Sequence, residues 1–126
     1  MKSNVQSTAA PAPIGPYSQA IQLGDFLFTS GQIAIDPATG ALVTDDIQAE
    51  TRLVMQNLEA LLKEAGMSFN DVVKCSIFIS DMNNFSSINE VYGSYFEPPY
   101  PARETVEVAR LPKDVNVEIS VIAHKK

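Results

Sequence analysis

Apolar and polar residues change rhythm several times along this chain, and each rhythm predicts an element. Loose alternation over residues 17–23 predicts a strand, and residues 26–30 predict a second. Gly24-Asp25 between them is a tight connection of the kind that closes a hairpin. Gly31 then interrupts, and residues 32–35 read as a short third strand or as the same strand continued past a bulge. Asp36-Pro37-Ala38-Thr39-Gly40 supplies turn residues.

The period then becomes helical. Ile47, Thr51, Val54, Leu58, Leu61, Leu62 and Ala65 recur in one stripe and predict a helix from about Asp46 to Ala65. Asp45 is the expected cap, with Gln48 completing a capping box, and Gly66 ends the helix. Residues 72–80 return to alternation, with Val73, Cys75, Ile77 and Ile79 on one face and Lys74 and Ser76 on the other. Phe85, Ile88, Tyr92 and Phe96 predict a second helix over 84–96, started by Asn83 or Asn84. Pro98-Pro99-Tyr100-Pro101 fits only an extended loop, and strands at about 105–110 and 116–123 close the chain.

This order, β-β-(β)-α-β-α-β-β, describes an α+β domain in two layers. Two amphipathic helices cover one face of a mostly antiparallel or mixed sheet. The opposite face is semi-apolar: Glu118, Ser120 and Ile122 alternate with Val117, Ile119 and Val121, and Phe28 shares a face with Ser30. Such a face without helices over it implies cyclic self-association. No repeat of strand-helix units carries a phosphate-binding loop, which disfavours a dinucleotide fold.

Composition narrows the function. At 126 residues the chain fits one domain, residues 1–13 forming a small polar N-terminal segment. Its net charge is −6, and its nine basic residues are scattered from Lys2 to Lys126. That pattern provides no phosphate-neutralising stripe, so neither nucleic acid nor anionic membrane is an expected partner. Cys75, the single cysteine, sits in an apolar run; this points to a buried core position and to the cytoplasm. One histidine, His124, cannot assemble a metal centre. Lys2 is followed by no apolar run, so no secretory or membrane-spanning segment is expected.

Candidate chemistry concentrates near the end of the chain. Pro101-Ala102-Arg103 delivers a guanidinium from a proline-stiffened loop, and its planar fork suits a small carboxylate through two parallel charge-assisted bonds. Glu118 stands among branched apolar neighbours, as a proton-handling carboxylate does. Arg110 precedes the exit turn Leu111-Pro112-Lys113-Asp114 and is read as one half of a structural salt bridge.

Several separated motifs occur together in order: Gly15-Pro16-Tyr17-Ser18-Gln19, Thr29-Ser30-Gly31-Gln32-Ile33, Asn89 within Ile88-Asn89-Glu90-Val91-Tyr92, Pro101-Ala102-Arg103, and Val106 to Pro112 with Glu118. By these residues nearly the whole chain resembles the reactive intermediate deaminase family. The resemblance implies a chorismate mutase-like protomer in a homotrimer, its sheets forming a central β-barrel with the helices outside. It implies clefts between subunits that bind small 2-imino and 2-oxo acids. It also implies cofactor-free hydrolysis of 2-iminobutanoate and 2-iminopropanoate to 2-oxo acids and ammonia. On the same resemblance Arg103 clamps the substrate carboxylate and Glu118 orients or deprotonates water. Tyr17, Ser30, Gly31, Asn89 and Thr105 contact substrate, Thr105 through its backbone. Thr105 stands where many members carry cysteine, and Glu104 where the residue is usually small; an extended backbone turns Glu104 to the side opposite Arg103. Relatives also suggest a non-catalytic trimer that binds small carboxylates for regulation, a chaperone, or a ribonuclease. The acidic chain and the lack of a histidine acid-base pair weigh against the last.

Overall fold

The hairpin forms as its residues dictate. In the computed structural model, which describes residues 1–126, β2 (Ala20–Leu23) and β3 (Phe26–Thr29) pair antiparallel with Leu23 opposite Phe26. Gly24 and Asp25 alone make the turn, and Gly24 takes φ +58, which costs a glycine no Cβ clash. Ahead of the hairpin lies a short edge strand, β1 (Ser3–Val5), paired antiparallel to β2. Polar Ser3-Asn4 gives that strand no signal of its own. The segment after it is pinned by buried Gln19, whose amide accepts from the Ser7 N–H and donates to the carbonyls of Ser7, Ala10 and Pro11.

β3 also pairs with the last strand, β6 (Val117–His124), but the register slips: Phe28 faces Ile122, whereas Gln32 faces Ile119. The β3 side therefore carries one extra residue, a bulge at Ser30-Gly31. Beside it the Thr29 hydroxyl accepts from the Val121 N–H at 3.0 Å, standing in for a backbone carbonyl. Residues 32–35 are thus a continuation past a bulge, held by an isolated bridge, and not a third strand.

The first helix, α1 (Ile47–Glu64), is capped by Asp46, whose carboxylate accepts from the N–H groups of Gln48 and Ala49. Asp45 does not cap, and the expected box with Gln48 does not form. The cap must directly precede the first helical residue, which is Ile47. In β4 (Val72–Ile79), Cys75, Ile77 and Ile79 point into the core, but Val73 is 47% exposed. A register shift between Val72 and Lys74 resets the alternation and buries Val72 in its place.

A 3-10 turn at Met82–Asn84, capped by Asp81, leads into α2 (Phe85–Gly93), which starts after Asn84 as expected, although the Asn84 side chain makes no capping hydrogen bond. The helix ends before residue 96, although Phe96 remains buried against Phe69. β5 (Ala102–Glu107) starts and stops earlier than its alternation implied, and it pairs parallel to β4 because α2 carries the chain back across the sheet.

The mixed sheet has the order β1-β2-β3-β6-β4-β5. Val54, Leu58 and Leu62 of α1 and Ile88 of α2 pack on Leu27, Ile77, Ile119 and Val121 of the sheet. Each such buried aliphatic contributes about 1.5–3 kcal/mol. The two-layer α+β expectation holds, with both helices on one face. On the other face Leu23, Phe26, Phe28 and Val106 are each at least 40% exposed. No helix is long and apolar enough to cross a membrane.

Candidate active site

Glu118 points to the open face of the sheet, beside Phe78 of β4. The bulge in β3 brings Gly31 directly against it. A Cβ built on Gly31 would lie 2.7 Å from the Glu118 carboxyl carbon and 2.9 Å from its Cγ, closer than carbon atoms pack. Gly31 is not in the left-handed region, so the requirement here is space. Glu118 is half-buried, forms no ion pair, and its carboxyl is pushed above the usual glutamate range by burial. With Tyr17, Gln19, Ser30, Gly31, Gln32 and Lys113 it lines a cavity of about 370 Å3 whose remaining wall is apolar, including Ile14, Ile33 and Ile35. Ser30 is tied back by its hydroxyl, which donates to the Ser18 carbonyl at 2.6 Å.

Arg103 lies elsewhere. Its register partner is Cys75, so it leaves edge strand β5 on the helix face. There its Nη1 donates to Asn89 Oδ1 at 2.6 Å, and its guanidinium carbon lies 5.0 Å from the Tyr92 ring centre and 5.6 Å from that of Phe85. Arg103, Asn89, Tyr92 and Tyr100 line a second cavity of about 500 Å3. Glu104 points the other way, as alternation requires. It pairs with Lys74 at 2.9 Å and accepts from the Ser76 hydroxyl, and these partners hold its carboxyl below the usual range.

Comparison with known proteins decides the family. Residues 7–125 match the endoribonuclease L-PSP family. The chain belongs to that family. It is 54% identical over 126 residues to a RutC family protein of Pyrococcus horikoshii, covering all of both chains. It is 46% identical to TdcF of Escherichia coli, a protein named as a reactive intermediate deaminase, across 98% of this chain and 97% of that one. The crystal structure of E. coli TdcF with bound serine superposes with a TM-score of 0.93 at 44% identity, covering 98% of this chain and 99% of the other. RidA of an Antarctic Psychrobacter gives 0.93 at 40% identity, covering 97% and 98%. The family of reactive intermediate deaminases resembled by the motifs is therefore the family of this chain.

Within this L-PSP protein the candidate residues fall into two groups. Tyr17, Ser30, Gly31 and Glu118 share one cavity, and Asn89 and Arg103 share the other. A single chain does not bring Arg103 and Glu118 together. Thr105 lines neither; its hydroxyl is buried without a hydrogen-bond partner, on the edge strand. Arg110 pairs with Asp114, Nε to Oδ1 at 2.6 Å, as its position before the exit turn implied. No cluster of three or more His, Cys, Asp and Glu side chains is placed to hold a metal ion.

Two features had no signal in the sequence. Glu50, fully buried on α1, accepts from the Asn116 backbone N–H at 2.7 Å and from its side-chain amide at 2.8 Å, bracing the start of the strand that carries Glu118. Phe85 and Tyr92 were legible as an apolar stripe, but their place beneath Arg103 depends on the parallel pairing of β4 and β5.

Proposed function

We propose that this protein hydrolyses 2-imino acids, 2-iminobutanoate and 2-iminopropanoate among them, to 2-oxo acids and ammonia. The reaction takes place in clefts of a homotrimer where Arg103 of one subunit meets Glu118 of the next. One observation carries this reading: each chain presents two incomplete half-sites, a guanidinium in a cavity lined by no carboxylate, and a half-buried carboxylate that makes no ion pair, although Lys113 lines the same cavity. The exposed apolar sheet face supports the assembly that joins them. The serine held by E. coli TdcF supports a small α-substituted carboxylic acid as ligand.

The chemistry asks little of the protein. The protonated imine is already electrophilic, so Arg103 needs only to hold its carboxylate and orient the C=N carbon. Glu118 takes a proton as water adds to that carbon, giving a tetrahedral carbinolamine. The proton passes to nitrogen, the C–N bond breaks as the carbinolamine hydroxyl gives its own proton to Glu118, and the ammonia released takes up that proton and leaves as ammonium with the 2-oxo acid. Burial favours this proton traffic by raising the carboxyl above its ordinary range. RNA cleavage fits less well: the chain has net charge −6, and its one histidine, His124, packs edge-on against Phe26 outside both cavities. Binding without turnover, the regulatory reading, predicts a ligand-saturable protein that releases no ammonia.

The first test is ammonia release from freshly generated 2-iminopropanoate, expected with the native chain and lost with Arg103→Ala. A second test addresses the shared cleft. Arg103→Ala and Glu118→Gln chains, each inactive alone, are mixed, unfolded and reassembled. Every mixed trimer then contains one intact cleft, and random assembly restores about a quarter of native activity. No recovery would show that the two residues do not meet between subunits.

Gly31→Ala tests the close approach from the other side. The added methyl displaces the Glu118 side chain, so turnover is expected to fall at least about tenfold, whereas stability changes by about 1 kcal/mol or less because the displaced atoms end a flexible side chain. Melting followed by circular dichroism, beside the ammonia assay, separates the two effects.

A further inference from the structure

We propose that Tyr92 and Phe85 form an aromatic cradle that sets the orientation of Arg103, making them positioning residues for recognition of the substrate carboxylate. The inference rests on the reading of Arg103 as that clamp. Arg103 is an exposed side chain on an edge strand, with a single hydrogen bond, to Asn89, and no ion pair. A long arginine so placed samples many rotamers, and ordering it on binding would weaken the complex. The two rings remove much of that freedom beforehand. Its guanidinium carbon lies over both, 5.0 Å from the centre of Tyr92 and 5.6 Å from that of Phe85.

The geometry leaves the clamp free to act. The rings attract the guanidinium through its charge, whereas a carboxylate is bound through its N–H groups, so the two do not compete. Asn89 occupies one N–H and restricts rotation of the group, leaving the others for a ligand. The rings are themselves held: Tyr92 is buried and packs on Phe96 with ring centres 4.8 Å apart, and Phe85 packs against the core. Helix α2 thus presents Phe85, Asn89 and Tyr92 at helical spacing as one surface under β5.

The test measures calorimetric affinity of the assembled protein for 2-oxobutanoate, an inert product-like acid, together with KM and kcat for the imine. Tyr92→Leu is expected to weaken 2-oxobutanoate binding and raise KM about tenfold, with kcat changed less than about threefold. Phe85→Leu, at a less buried position, is expected to act in the same direction by about threefold. Tyr92→Phe keeps the ring and is expected to restore binding to within about twofold. Phe69→Leu removes an aromatic side chain that does not touch Arg103, and should lower stability without weakening binding. In an Arg103→Ala background Tyr92→Leu should weaken 2-oxobutanoate binding no further, since the group it positions is gone. Unchanged affinity in folded Phe85→Leu and Tyr92→Leu proteins would overturn the cradle while leaving the clamp intact, and a Tyr92→Phe loss as large as that of Tyr92→Leu would also overturn it. Unchanged affinity in Arg103→Ala would instead overturn the clamp itself.

Discussion

Glu118→Gln is expected to lower kcat about a hundred-fold or more while leaving affinity for a 2-oxo acid largely intact. Glutamine keeps the shape of the side chain beside Gly31 but cannot take a proton from water. The native pH profile should carry the same signature. Burial places this carboxyl above its ordinary 4.5, so activity should be lost as pH falls through a value higher than that of an exposed glutamate. Stability should move in the opposite direction. A carboxyl raised in the folded state binds protons more readily there than when unfolded, so folding loses stability as pH climbs from the unfolded value through the folded one. Above that window the full cost is present. Glu118→Gln should therefore melt higher than the native protein near neutral pH, and the difference should disappear well below the ordinary glutamate range. Melting curves at several pH values, beside initial rates, measure both. A variant with intact turnover would leave Glu118 a structural residue and assign water activation to solvent or to the substrate.

Arg103→Lys should be poorly tolerated although the charge is kept. An ammonium cannot make two parallel bonds to a carboxylate, nor does it offer the planar fork that Arg103 holds over Tyr92 and Phe85. Loss of one charge-assisted bond costs about 2 kcal/mol of transition-state stabilisation, roughly thirty-fold in kcat/KM. Long-range attraction for the anion survives, so Arg103→Ala should be worse still. Thr105→Ala is expected to do much less, because its proposed contact is through the backbone. Steady-state kinetics on the three variants give the order. Equal activity of Arg103→Lys and the native protein would reduce Arg103 to a general positive charge.

Much of the architecture was legible because its signals are local. The hairpin around Gly24-Asp25, the α1 stripe, the alternation of β6 and the buried place of Cys75 all follow from the period of apolar residues and from turn chemistry. The candidate residues were legible in another way, through separated motifs that together marked the family. The errors fell where a neighbour decides. Val73 was assigned to the core face and lies outside it, because the register shift against β6 resets the count. Asp46 caps α1 in place of Asp45 because the helix starts at Ile47 and a cap must directly precede the first helical residue. β1 was missed because its short polar sequence becomes a strand only through pairing with β2.

The site divides along the same line. The sequence by itself singled out the candidate side chains, and it determined that Glu104 turns away from Arg103, since consecutive residues of any strand project oppositely. Only the tertiary structure decided that Arg103 and Glu118 occupy separate cavities, that Gly31 is pressed against the carboxylate, and that Tyr92 and Phe85 lie beneath the guanidinium. The physical reason is that periodicity is written in each segment alone, whereas strand register, bulges and the parallel alignment of β4 with β5 arise from contacts between segments far apart in the chain. A one-residue slip in any of these pairings would turn the same side chains to the other face.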